Sequence, residues 1–321
     1  MLRANSVINR PTRTLGERLY RDFKQNKFKY LLILPVLVYL AFFAYKPLEG
    51  LAIAFKNFRP TRGIWGSKWM DPWYYHFQKF FADEYFPRLV KNTLSISLLN
   101  TLFSFPAPII LALLLNELRS NKFKRTVQTI TYMPYFVSLV VACSLVRIYC
   151  QSNGLFSQIA VAMGGEAQNY MISNKHFYLI YIVSGIWQYI GWNSIIYLAA
   201  LSGIDQEQYE AARIDGANRF RQMLHITLPG LMPTIMVLFI LRMGNILNVG
   251  FEKVLLLYSE PVYPTADVIS TYVYRNSFVV TASNAQYSYS TAVDLFNGVV
   301  NVLFLLGTNY ISKKTTKLGL F

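Results

Sequence analysis

Acidic residues are scarce in this chain: 16 Asp and Glu stand against 31 Lys and Arg in 321 residues, for a formal net charge of +15. Charged residues make up 15% of the sequence and apolar ones 54%, whereas soluble domains run at roughly 25% and 45–50%. The shortage of charge excludes an ordinary soluble domain. Soft metal ligands are nearly missing as well. Cys143 and Cys150 are the only cysteines, seven residues apart on one apolar segment, a spacing that fits packing on one helix face better than a disulfide or metal pair. His76, His176 and His225 are scattered without ligand spacing, so no metal site is expected. No stretch reads G-x-x-x-x-G-K-[ST], so the chain lacks a P-loop to cradle ATP. The basic segment 1–29 has no small-residue cleavage site before the apolar run that follows it, which argues against a signal peptide.

What the chain does have is long apolar runs, and about 20 apolar residues suffice to cross a bilayer. Mean hydropathy is +0.29. Runs at 30–46, 92–115, 127–149, 177–200, 232–249 and 291–311 predict an all-α integral membrane protein with six transmembrane helices. Pro106 and Pro108 should kink the second span. Lys and Arg gather at the amino end, at 118–125, at 210–229 and after residue 311, as the positive-inside rule requires of cytoplasmic segments. Both termini are therefore expected inside, in a multi-pass protein of the cytoplasmic (inner) membrane. The positive charge encodes topology and lipid contact rather than a nucleic-acid partner. Segment 1–29 carries an apolar stripe, Leu15, Leu19 and Phe23, flanked by Arg18, Arg21 and Lys24, the pattern of a helix lying on the inner leaflet. The expected organisation is that cytoplasmic segment, a membrane domain at 30–312 containing a loop at 201–230, and a cytoplasmic tail at 313–321.

The loop is the most specific stretch. Residues 210–229, EAARIDGANRFRQMLHITLP, begin with helix formers, break at Gly216 and close on Pro229, so they predict a helix, a bend and a second helix entering the membrane. Ala211 and Ala212 leave one side nearly bare for close approach by another protein, Gly216 tolerates backbone angles other residues resist, and Glu210 adds one charge. Ala-rich loop helices are common without any docking role. The spacing of Glu210, Ala211, Ala212, Gly216, Ile226, Leu228 and Pro229, however, resembles the EAA loop of type I (maltose-type) ABC importer permeases. Residues 105–117, FPAPIILALLLNE, the preceding Asn92-Thr93-Leu94, and residues 63–69, GIWGSKW, look like the subset serving polysaccharide and complex-oligosaccharide importers, the alginate importer among them. The resemblance implies a permease fold whose coupling helix docks on a cytoplasmic ATPase. It also implies a second homologous permease, two ABC ATPase subunits that hold ATP and Mg while this chain binds no cofactor, an extracytoplasmic solute-binding protein and an oligosaccharide substrate.

Polar residues within the spans are the candidate substrate path. A central Arg costs about 2.5–3.5 kcal/mol on insertion scales and should face a cavity or a partner. Arg242, Asn245, Asn248 and Glu252 follow at helical spacing, and Asp294, Asn297 and Asn301 form a matching stripe on the sixth span. Two readings stand. In one the stripes bind sugar hydroxyls, with Arg242 taking a uronate carboxylate in bidentate fashion; in the other Arg242 pairs with Asp294 and the asparagines join helices. Tyr189, Asn193 and Tyr197 make a line on the fourth span beside Trp187 and Trp192. Aromatic rings can stack on sugars, yet they also gather at membrane interfaces. Two other classes compete with an importer subunit that does no catalysis. A membrane-embedded glycan-processing enzyme would need carboxylates at the membrane face, for which Asp205, Glu207 and Asp215 are the inner candidates. A secondary sugar transporter would normally show an inverted repeat with paired broken helices, and none is evident.

Overall fold

The computed structural model describes residues 15–279 and 286–320. In hydrocarbon a backbone has no water to bond, and a helix satisfies its own N–H and C=O groups; the apolar runs accordingly fold as helices. The longer ones are α1 Leu15–Tyr39, α2 Tyr75–Phe81, α3 Phe86–Ser104, α4 Pro106–Asn116, α5 Asn121–Tyr132, α6 Leu139–Cys150 and α7 Leu155–Ala162. They are followed by α8 Phe177–Ser202, α9 Gln206–Ile214, α10 Leu228–Met243, α11 Phe251–Leu257, α12 Ile269–Tyr274 and α13 Tyr287–Thr316. One two-residue hairpin is the only sheet among the described residues, β1 Lys56–Asn57 against β2 Lys68–Trp69, with Lys56 opposite Trp69.

Five stretches are long and apolar enough to cross a membrane: Tyr20–Phe55, Phe86–Glu117, Leu139–Ala162, Arg219–Met243 and Tyr287–Thr316. The remaining expected span, 177–200, is α8. Its 26 residues reach about 39 Å, but Trp187, Gln188, Trp192 and Asn193 dilute its hydropathy. It is the central helix, packed against α3, α4, α5, α6 and α10. Gly191 lets α5 come close, since a Cβ there would stand 2.2 Å from the Thr131 carbonyl oxygen.

Several expected boundaries move. Within α1 the surface helix and the first span are two helical pieces meeting at a kink, Asn26 (φ −114°, ψ 22°), where the side chain turns to Asp22 Oδ1 at 2.7 Å. The side chains of Leu15 and Leu19 lie outside the described ones. The second span is divided at Phe105 into α3 and α4, where Pro106 and Pro108 remove hydrogen-bond donors, although Phe105 itself keeps helical angles (φ −75°, ψ −44°). The run 127–149 is interrupted: α5 tightens into a 3₁₀ turn at Met133–Phe136, carrying Pro134, and Val137 is extended (ψ 131°). The fifth span ends at Met243, six residues early. The sixth starts at Tyr287 and runs to Thr316, into the expected tail, whose Leu320 N–H donates to Asn309 Oδ1 at 2.8 Å.

Three buried clusters hold the bundle. Cys143 and Cys150 pack with Phe177, Tyr181 and Val254; Ile109 and Ala112 pack with Tyr197, Leu201 and Leu231; Phe80 and Leu89 pack with Ile269, Tyr289 and Val293. Polar clamps fix the segment before α13. Fully buried Asp267 accepts two hydrogen bonds from Arg275, at 2.8 and 2.6 Å. Asp83 accepts from Tyr272 at 2.5 Å and Tyr289 at 2.8 Å. Burial alone would push the Asp83 carboxyl up, but hydrogen bonds from Tyr272, the Tyr85 N–H and Tyr289, with the nearby Lys79 charge, hold it below the ordinary carboxylate range.

Candidate functional site: a polar cavity and an exposed elbow

The fifth span stops because Gly244 follows Met243 and the chain turns through 244–249 to reach Gly250 at φ +58°, a left-handed conformation that glycine adopts without a Cβ penalty. Arg242, Asn245, Asn248 and Glu252 therefore do not share one helix. They converge instead through the turn, on a cavity of about 560 Å³ between α3, α8 and α11. Tyr189 and Asn193 of α8 face it as well. Asn301 braces the turn from α13 by accepting the Leu247 N–H at 2.9 Å, and Tyr181 Oη donates to the Val249 carbonyl at 2.6 Å.

Other expected path residues lie elsewhere. Tyr197 is buried in the cluster with Ile109 and Leu231. Asp294, Asn297 and Asn301 are absent from the lining; Asn297 is buried with its Oδ1 unbonded, and Asp294 is exposed. No ion pair joins Arg242 to Asp294 among the described residues. The pairing reading for Arg242 fails on geometry, while Asn301 does join two elements. Trp192 lies flat against Tyr135, with centroids 4.2 Å apart and planes at 1°. Trp187 lines a separate, almost wholly apolar hollow of about 710 Å³ with Tyr149, Phe156 and Leu179.

Sequence reading missed four lining residues of α3: Ser97, Asn100, Thr101 and Ser104. Their i, i+3, i+4, i+7 spacing is a polar helix stripe and was the available signal. It also missed Tyr181 and Lys253. The wall thus combines hydroxyls, amides and ring faces with aliphatic side chains such as Leu139, Ile186 and Ile190, and Arg242, Glu252 and Lys253 are its charged members. Such a wall can bind a polyhydroxylated ligand and offers no nucleophile paired with a base. No group of three or more His, Cys, Asp or Glu could hold a metal among the described residues.

The elbow folds as a helix, a bend and a second helix. Asp205 caps α9 by accepting the Glu207 N–H at 3.0 Å, a role Asp fills well. At the other end the Gly216 N–H bonds the Arg213 carbonyl at 3.1 Å and the Ala217 N–H bonds the Ala212 carbonyl at 2.8 Å, a Schellman closure around Gly216 at φ +76°. Asn218 then caps the helical turn Arg219–Gln222 through the Arg221 N–H at 2.9 Å. A wider π turn, Met223–Thr227, leads into α10. Ile226, Leu228 and Pro229 lie in this return. Glu210 and Ala211 are exposed, Ala212 is half-buried, and Ile214 is 87% exposed; α9 buries no residue within the chain. It is tethered by a 3.0 Å hydrogen bond between Tyr209 Oη and Thr227 Oγ1. The Asp205 carboxylate is taken up by the N-cap, whereas Asp215 closes the other end through its backbone N–H, which donates to the Ala211 carbonyl at 3.0 Å.

Residues 104–317, the part that holds the cavity's α8 and α10, the elbow and α13, match the model of the binding-protein-dependent transport system inner membrane component family. The chain belongs to that family. This permease is 44% identical to Protein LplB of Bacillus subtilis (strain 168), over 93% of this chain and 92% of that one. It is 41% identical to the polygalacturonan/rhamnogalacturonan transport system permease protein YteP of the same organism, over 95% and 94%. Among solved structures it resembles a chain of a bacterial alginate ABC transporter in complex with an alginate pentasaccharide-bound periplasmic protein, at a TM-score of 0.85 and 40% identity, covering 94% of this chain and all of that one. The permease is a non-catalytic subunit of the inner membrane, and the membrane-enzyme reading falls.

Proposed function

We propose that the permease conducts an oligo- or polysaccharide through the 560 Å³ cavity of an ATP-driven importer. The observation that carries this reading is the wall itself: hydroxyls, amides and ring faces from three helices meet there without any reacting group. Arg242, lining the cavity with no ion-pair partner among the described residues, favours a sugar with carboxylates, since guanidinium binds carboxylate through two parallel bonds. The names of the relatives, one for polygalacturonan and one for alginate, support the same class.

ATP and Mg belong to two ATPase subunits, and a second, homologous permease completes the path. A solute-binding protein delivers the sugar on the far side, and both termini lie in the cytoplasm. The elbow docks on an ATPase through Glu210, Ala211, Ala212 and the turn at Gly216, with Ile226, Leu228 and Pro229 passing the movement into α10. Exposed α9, tethered through Tyr209, suits such a plug. The test is ATPase activity and uptake by the purified complex in lipid, with and without its binding protein, using neutral and uronate oligosaccharides. Stimulation by a uronate-loaded binding protein is expected, and Glu210→Lys should lower uptake per ATP several-fold while the complex still inserts. Uptake that persists without ATP would overturn the reading in favour of a secondary transporter.

A further inference from the structure

The cavity wall contains a second cation, and this one is buried. Lys253 of α11 is only 7% exposed. Its Nζ donates to the Tyr181 carbonyl at 2.7 Å and lies 4.6 Å from the centroid of the same tyrosine's ring. An ammonium has three donors, and the bond to Tyr181 is its one hydrogen bond among the described residues. No carboxylate stands within ion-pair distance of it among the described residues. The only acidic residue of the lining, Glu252, is exposed.

The fold makes room for this ammonium. A Cβ on Gly185 would stand 2.9 Å from Nζ, so a larger residue there displaces the lysine head. Tyr181 is fixed at both ends, its hydroxyl on Val249 and its carbonyl on Lys253, and Arg242 lines the same cavity. A burial this costly gains nothing for packing that Leu or Met would not supply.

We infer that Lys253, seated in the Gly185 recess, is a carboxylate-binding position of the cavity and selects acidic over neutral saccharides. With Arg242 it gives two cationic points, which fits a chain bearing repeated carboxylates. The inference rests on the reading of the cavity as the substrate path. Equilibrium binding to the intact complex in lipid nanodiscs tests it, with a uronate oligosaccharide and its fully methyl-esterified counterpart as probes. Wild type should bind the acid at least tenfold more tightly than the ester. Lys253→Met should lose about tenfold for the acid and leave the ester unchanged, and Gly185→Ala, which keeps the charge but shifts it, should lose affinity for the acid in the same direction. Equal weakening of both sugars by Lys253→Met would mark a structural strut between α8 and α11 and overturn the inference, as would no change with either. A wild-type complex that binds neither sugar would overturn the saccharide reading itself, and this inference with it.

Discussion

Gly216 sits at φ +76° with open space where its Cβ would be, so its constraint is the backbone rather than crowding. Asn visits this conformation at small cost, whereas a β-branched residue meets a penalty of about 1–2 kcal/mol. Gly216→Asn should therefore keep sugar moved per ATP close to wild type and Gly216→Val should lower it several-fold, as measured in proteoliposomes carrying the whole complex. Equal behaviour of the two would show that the Schellman turn does not shape the docking helix. This glycine was legible in the sequence because a Gly directly after a run of helix formers, EAARID, is a local stop signal. Lys253 was not. It stands within FEKVLLL beside Glu252, and nothing local says that the lysine is the buried one of the two. Burial at that position comes from α8, some 70 residues away in the chain, through the space left by Gly185.

At the scale of elements, the polar stripe beginning at Arg242 shows how residues that do line one cavity can be grouped from the wrong geometry. Apolar Ile246, Leu247 and Val249 let the 3.6-residue pattern run on past Met243, so hydropathy could not separate helix from turn. Gly244 and Gly250, bracketing two asparagines, were the breakers to read. The turn stays in place because α13 supplies Asn301, whose carbonyl oxygen holds the Leu247 N–H at 2.9 Å in a buried setting. Asn301→Leu leaves that N–H without a partner and should cost about 1–3 kcal/mol. Thermal unfolding of the complex in detergent would register a lowered midpoint, and a midpoint unchanged within error would place the strength of the turn elsewhere. A similar lesson holds for α5, where Pro134 marked the interruption of a run that composition alone made continuous. The cysteine pair, by contrast, packs where its spacing put it.

Across the whole molecule, the two helices that flank the elbow both reach the cavity, α8 through its middle and α10 through its end. α8 contributes Tyr189 and Asn193 before descending to Ser202, and α10 rises from Leu228 to Arg242. Its 16 residues span about 24 Å. In the proposed docking role α9 has two helical links to the polar wall, and α10 meets the α8–α9 connection at the elbow: a Cβ on Gly230 would come 2.7 Å from Ile204 Cδ1. The expectation is that this contact couples α8 and α10. Gly230→Leu should wedge them apart, at an overpacking cost of about 1–3 kcal/mol, and disturb the path between cavity and elbow without altering either lining. Stimulation of ATPase activity by the loaded binding protein should fall several-fold in this variant, read in lipid on the intact complex. If stimulation is unchanged, the two links carry the signal separately, and the elbow needs only one of them to sense the loaded cavity.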